Sequence, residues 1–258
     1  MRQCGLKAAV VSVSGGIDSA VTLGLMKHAM EMEDSPIQRI LGISQPIHSS
    51  AWAYNRAMEC GKALGVDIIV VDQTSVFDSL KTLVDTATGI IGNDFSSGQL
   101  RSYMASSSAP RLIPSARPQS GTPCVVMGTG NRDEDGYLGY FCKAGDGVVD
   151  VQLIADLHKS EVFAVGRALG VPASILESPP SADLWEGQTD EEELGVSYDF
   201  VELFTGWFLP LGEEERRRFV EGLEEESREE WERCRAICEN VHRRNSHKLN
   251  GPKNLNVL

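Results

Sequence analysis

Short apolar runs of strand length alternate with longer helical stretches over the first seventy residues. The run Ala8-Ala9-Val10-Val11-Ser12-Val13 has the length and β-branched content of a strand buried on both faces. Residues 20–27, mostly apolar on all sides, predict a well-covered helix. Residues 37–44 predict a second strand, ended by Gln45-Pro46. Residues 49–64, with Trp52, Ala53, Ala57, Met58 and Ala63 as apolar positions, predict an amphipathic helix capped by Gly65. Residues 66–71 read as another buried strand, and residues 124–128 as a later one. Such alternation predicts an α/β fold: a parallel sheet with right-handed crossovers, helices on both faces, and a ligand site at the carboxyl ends of the strands.

Two segments interrupt the alternation. Residues 92–122, rich in Ser, Pro and Gly, read as an irregular insertion, and residues 178–188 as a loop before a capping-box spacing at Thr189 and Glu192. Residues 213–240 are highly charged and predict a solvated helix pair anchored by Phe219, Leu223, Trp231 and Ile237. The expectation is one domain over residues 1–258, with a charged helical part from about residue 200.

Between the first strand and first helix lies Ser14-Gly15-Gly16-Ile17-Asp18-Ser19. Paired glycines let the main chain approach a bulky anion, Ser14 and Ser19 add hydroxyls, and the amides opening the helix favour phosphate. A carboxylate beside phosphates needs a cation between them, which assigns Asp18 to Mg2+. The loop is neither GxxxxGK[ST] nor GxGxxG. It resembles the SGGxDS loop of the N-type ATP pyrophosphatases, which adenylate a substrate with ATP and release pyrophosphate.

Composition narrows the partners. A net charge of −13 argues against nucleic acid and would repel ATP, so a nucleotide site must concentrate its few cations. No apolar run of about eighteen residues and no signal-peptide pattern is present, so no membrane is expected and the cytoplasm is the default location. Six scattered cysteines without a CxxC pair read as reduced, buried thiols.

Farther along, Gly128-Thr129-Gly130-Asn131-Arg132-Asp133-Glu134-Asp135-Gly136 comes directly off a predicted strand, which puts Thr129 and an acidic cluster at the same sheet edge as the loop. This GTGN run resembles the NAD+ synthetase family. So do residues 139–147 (Gly-Tyr-Phe-Cys-Lys-Ala-Gly-Asp-Gly), Asp150, Leu157-His158-Lys159, residues 180–184, residues 192–199 and His247-Lys248. The resemblance implies a Rossmann-like, adenine nucleotide alpha hydrolase-like fold and ATP-dependent amidation of nicotinic acid adenine dinucleotide (deamido-NAD+) by ammonia. The products would be NAD+, AMP and pyrophosphate.

Motif by motif, the resemblance implies that Ser12, Val13, Ser14, Gly15, Gly16, Ile17, Asp18 and Ser19 cradle ATP with Thr129, Lys159 and Ser181. Asp18 and Glu134 would hold Mg2+. Arg101, Lys143, Asp150, His247 and Lys248 would hold the dinucleotide. Asp146 would take a proton from ammonium or attract it, with Lys159 and Asp18 completing the catalytic set. His158 receives no role.

The chain departs from the family pattern in three places. One residue more than the usual spacing separates Glu134 from Gly139, which leaves Asp135 as the alternative metal ligand. Ser181 replaces a common Thr, and Tyr103 stands where relatives often carry a second Arg. A homodimer is implied, and the short stretch before the first strand leaves no room for a glutaminase domain, which points to free ammonia. Competing readings are another adenylating N-type ATP pyrophosphatase and a non-catalytic nucleotide-binding protein.

Overall fold

The computed structural model describes residues 1–87, 124–143, 145–181 and 187–251. At its centre is a five-stranded parallel sheet in the order β3-β2-β1-β4-β5, from Ala8–Ser12 (β1), Arg39–Ser44 (β2), Ile68–Val70 (β3), Cys124–Gly128 (β4) and Val151–Gln152 (β5). Helices flank it: Ile17–Glu31 (α1), Ala51–Leu64 (α2), Thr74–Ala87 (α3) and Lys159–Leu169 (α4). The Rossmann-like α/β expectation holds. Because the strand order reverses between β1 and β4, the loops leaving their carboxyl ends part there and open a crevice.

Central β1 is buried on both faces, as its unbroken apolar run requires. Ala9, Val11 and Val13 enter a large cluster with Ala20, Val21 and Leu23 of α1, Ala57 and Cys60 of α2, and Val162 of α4. Val10 points the other way, against Ile43. Helix α1 shows eight buried positions around its circumference, which explains why its sequence lacks a polar face. Ser50 caps α2, accepting from the Ala53 amide, and Gly65 ends it in the left-handed region.

Farther on come the short helices Ala173–Leu176 (α5), Asp190–Leu194 (α6) and Tyr198–Glu202 (α7), then Glu213–Glu221 (α8) and Glu225–Asn245 (α9). Phe219, Leu223, Trp231 and Ile237 join Phe204 and Phe208 in a second, aromatic cluster, so the anchors read from the charged segment are placed as expected. Among the described residues no helix is long and apolar enough to cross a membrane.

Several expectations need correction. The strand expected to be buried at residues 66–71 is the short edge strand β3, with Ile69 and Val70 exposed; hydropathy alone does not distinguish an edge from a centre. Trp52, taken for the apolar face of α2, is 44% exposed. All six cysteines are free, but Cys4 is exposed and Cys124 and Cys142 are only partly covered. The insertion at residues 92–122, including Arg101 and Tyr103, lies outside the described residues, as does Trp185.

Gly15 is where the backbone leaves no alternative. Its φ is +89°, and a Cβ there would stand 2.4 Å from the Ala53 carbonyl oxygen on α2. Gly15→Ala is therefore expected to destabilise the fold by roughly 1–3 kcal/mol, read as a lower thermal midpoint in circular dichroism.

Candidate functional site

Immediately after β1 the chain turns through Ser14-Gly15-Gly16 into α1, and its hydroxyls organise the turn. Ser19 Oγ accepts from the Ser14 amide at 3.2 Å and donates to the Gly16 carbonyl at 3.0 Å, while Ser14 Oγ accepts from the Gly16 amide at 3.2 Å. Ser12 Oγ donates to Gln45 Oε1 at 3.0 Å, tying the loop to the end of β2. Since α1 opens at Gly16, its first amides face the crevice edge and supply a positive dipole end.

Across the crevice, β4 runs into a π-helical segment, Arg132–Leu138. Asn131 caps it: its Oδ1 accepts from the Asp133 and Glu134 amides at 3.0 Å each, and its Nδ2 donates to Asp18 Oδ1 at 2.9 Å. Wider winding takes up one extra residue without displacing what precedes it. This is the physical answer to the additional residue between Glu134 and Gly139, and Glu134 stays aimed at the site.

There Lys159, the first residue of α4, brings the two walls together. Its Nζ donates to Asp18 Oδ2 at 2.7 Å and to Glu134 Oε1 at 2.8 Å, and its side chain is 4% exposed. Tyr198 donates its hydroxyl to the same Glu134 oxygen at 2.5 Å, and the ammonium lies 4.9 Å from the Tyr198 ring centre. Burial pushes the Asp18 carboxyl up against the pull of Lys159. At Glu134 burial acts the same way, but the ammonium and its hydrogen bonds win and hold the carboxyl below its usual range. Burial works against the charge on Lys159 too, yet its two carboxylates raise its pKa.

Two hard oxygen donors converging on one cation suit magnesium, so Asp18 and Glu134 are the residues that could hold it. Asp135, the alternative ligand, does not join them on the lysine. Its Oδ2 accepts from Gln152 Nε2 at 3.2 Å, and burial, with Asp146, Glu134 and Asp18 nearby, pushes its carboxyl up to about 8. Gln152 in turn accepts from the Gly130 amide at 2.9 Å and so holds the Gly128-Thr129-Gly130 turn.

The cleft has a volume of about 330 Å³, within the range of small-ligand sites. It is lined by residues 12–19, Thr129, Glu134, Asp146, Lys159 and Ser181, which gathers every expected ATP residue at one sheet edge. Asp146 Oδ1 accepts from the Cys142 amide at 2.7 Å, and burial raises its carboxyl to about 6. Lys143, Asp150, His247 and Lys248 do not line this cleft. Lys143 Nζ donates to the carbonyls of His247, at 2.7 Å, and Asn250, and Lys248 Nζ to that of Gly139 at 3.1 Å. The tail thus packs on the loop that carries Asp146. His247 Nδ1 lies 3.1 Å from the Arg244 carbonyl. Asp150 is exposed and accepts from the Val126 amide at 2.8 Å.

Sequence reasoning missed the support beneath Lys159. Asp133 is fully buried, with Oδ2 accepting from the Lys159 amide at 2.8 Å and Oδ1 2.7 Å from His158 Nδ1. Asp133, His158 and Glu202 have ligand atoms within 4.8 Å of one another, but both Asp133 oxygens are already committed, so this is a hydrogen-bonded support. An acidic residue beside Glu134 and a histidine beside Lys159 were visible in the sequence; only the fold brings them together.

The reversed strand order, glycine turn and acid-lysine cluster define a nucleotide-binding α/β protein of the doubly wound class. More narrowly, the chain belongs to the NAD synthase family, whose model matches residues 1–252. The NH3-dependent NAD+ synthetase of Methanococcoides burtonii is 40% identical over 77% of this chain and 70% of its own length. That of Alkaliphilus oremlandii is 38% identical over 79% of each. A solved structure of an NMN synthetase from Francisella tularensis superposes with a TM-score of 0.73 at 25% identity, covering 99% of this chain and 92% of that one.

Asp133→Ala would leave the Lys159 amide and the His158 ring unsatisfied in the interior, an expected loss of about 2–4 kcal/mol. Asp133→Asn still offers an oxygen to the amide and should lose less. Denaturant unfolding of both variants checks the order.

Proposed function

We propose that the chain catalyses ATP-dependent amidation of the nicotinic acid carboxylate of deamido-NAD+ by ammonia, forming NAD+, AMP and pyrophosphate. The observation that carries this reading is the convergence of Asp18, Glu134 and Lys159 beside the Gly15-Gly16 turn in a chain of this family. ATP lies with its phosphates on the turn and the α1 amides, and Thr129 and Ser181 add hydroxyls from the facing loops. The pyridine carboxylate attacks the α-phosphorus and pyrophosphate leaves. Ammonia then attacks the acyl carbon of the mixed anhydride and AMP departs. Magnesium held by Asp18 and Glu134 would neutralise charge on the departing pyrophosphate. Lys159, held between those two carboxylates, places its ammonium beside the same oxygens.

Asp146 serves the second step. A carboxylate raised to about 6 is ionised at neutral pH yet basic enough to take a proton from ammonium. Arg101, Lys143, Asp150, His247 and Lys248 are proposed for the dinucleotide; what supports the last two is their packing around the Asp146 loop. We further read the chain as one domain that acts as a cytoplasmic homodimer. Exposed Val76 and Leu83 on α3, with Ile69 and Val70 of β3, offer apolar surface for pairing. Sedimentation at assay concentrations should show a dimer.

Pyrophosphate and AMP release that depends on deamido-NAD+ tests the reading. Nicotinic acid mononucleotide, the same acceptor without its adenylate half, should support much slower turnover. Asp18→Asn is expected to abolish both products. At a fixed ammonium concentration the amidation rate of the wild type should stay flat above about pH 6 and fall below it, as Asp146 gains its proton. Asp146→Asn should instead lose roughly 10²–10⁴-fold in amidation. Its rate should rise steadily with pH because only free ammonia then reacts, while its pyrophosphate release in the first turnover is spared.

A further inference from the structure

The described residues lining the cleft include four carboxylates, Asp18, Glu134, Asp146 and Asp190, and only two cations, Lys159 and Arg56. Lys159 is already neutralised by Asp18 and Glu134. Among the described residues, a triphosphate entering this acidic cleft therefore meets one lining cation that no carboxylate contacts directly, Arg56.

Its position fits the task. Arg56 lies on α2, which crosses the glycine turn so closely that a Cβ on Gly15 would come within 3.2 Å of the Arg56 Cβ. The guanidinium stacks over the ring of Trp52, one helical turn earlier, with its central carbon 4.2 Å from the ring centre. Glu59, three residues along the helix, acts on Arg56 through space, while its Oε2 accepts from Ser174 Oγ at 2.6 Å. Trp52 itself lines the cleft and is exposed there. This accounts for a tryptophan on the open side of a helix: it is a platform that orients a cation without cancelling its charge.

We propose that Arg56 is a further ATP-binding residue, held in wait by Trp52 and donating its guanidinium to the phosphates on the Ser14-Gly15-Gly16 turn. The proposal rests on the ATP-dependent reading above and adds a residue to it. A planar fork matches phosphate oxygens bidentately, and a charge-assisted pair of this kind outweighs stacking on a half-exposed ring.

Calorimetric titration of wild type, Arg56→Ala and Arg56→Lys with Mg-ATP, magnesium pyrophosphate and adenosine tests it. Arg56 is partly exposed, so the variants should fold. Arg56→Ala should bind Mg-ATP and pyrophosphate roughly 10- to 100-fold more weakly, with adenosine unchanged. Arg56→Lys should fall between. Unaltered Mg-ATP affinity in Arg56→Ala, or an equal loss for adenosine, would overturn the proposal while leaving the function in place. Wild-type protein that binds no Mg-ATP would bring down both.

Discussion

A single ammonium held between two carboxylates organises this molecule. Asp18 arrives from the start of α1, Glu134 from the segment after β4, and Lys159 from the start of α4, so the sheet from β1 to β5 must be correctly built before the cluster exists. Each charge alone would be costly in a site this enclosed; together they compensate, and removing one leaves the others uncompensated. Around them the supporting contacts are specific. Asn131 orients Asp18, Tyr198 orients Glu134, and Asp133 fixes the main chain of Lys159. The same oxygens that hold the lysine are the ones a divalent cation would use, so the resting site is already arranged around positive charge.

How much of this was legible in the sequence follows from the range of the interactions. The β1 run, the glycine turn and the cap at Gly65 are set by neighbours a few residues away, and they were read at nearly their observed bounds. The residues expected to hold ATP were placed on one edge because parallel strands put their following loops there. Helices α3 and α4 and strand β5 were not recognised; β5 has only two residues, too few for a pattern. Burial was misjudged where it depends on sheet order: β3 is apolar enough for a centre yet lies at the edge. The Asp133-His158 contact joins positions twenty-five apart in the chain and leaves no periodic trace. The extra residue near Glu134 was noticed, but whether it moved the ligand depended on how the backbone absorbed it. The π-helical winding does so while Asn131 holds the amides of Asp133 and Glu134 in place.

Three lysines in and around the cleft fall into two kinds according to what holds them. Lys159 is bonded to carboxylates and contributes little net charge to an approaching anion. Lys143 and Lys248 are bonded to main-chain carbonyls, of His247 and Asn250 and of Gly139. A carbonyl orients an ammonium without cancelling its charge, so these contacts fix both lysines in place. They also tie the end of α9 to residues 139–147, the loop whose Asp146 accepts from the Cys142 amide. Lys143 and Asp146 are thus carried on one loop, and the C-terminal segment with Lys248 packs against it. An anion drawn to these lysines would be brought next to Asp146 by the same contacts that attract it, which is how the proposed reaction would couple binding of its acceptor to the proposed base.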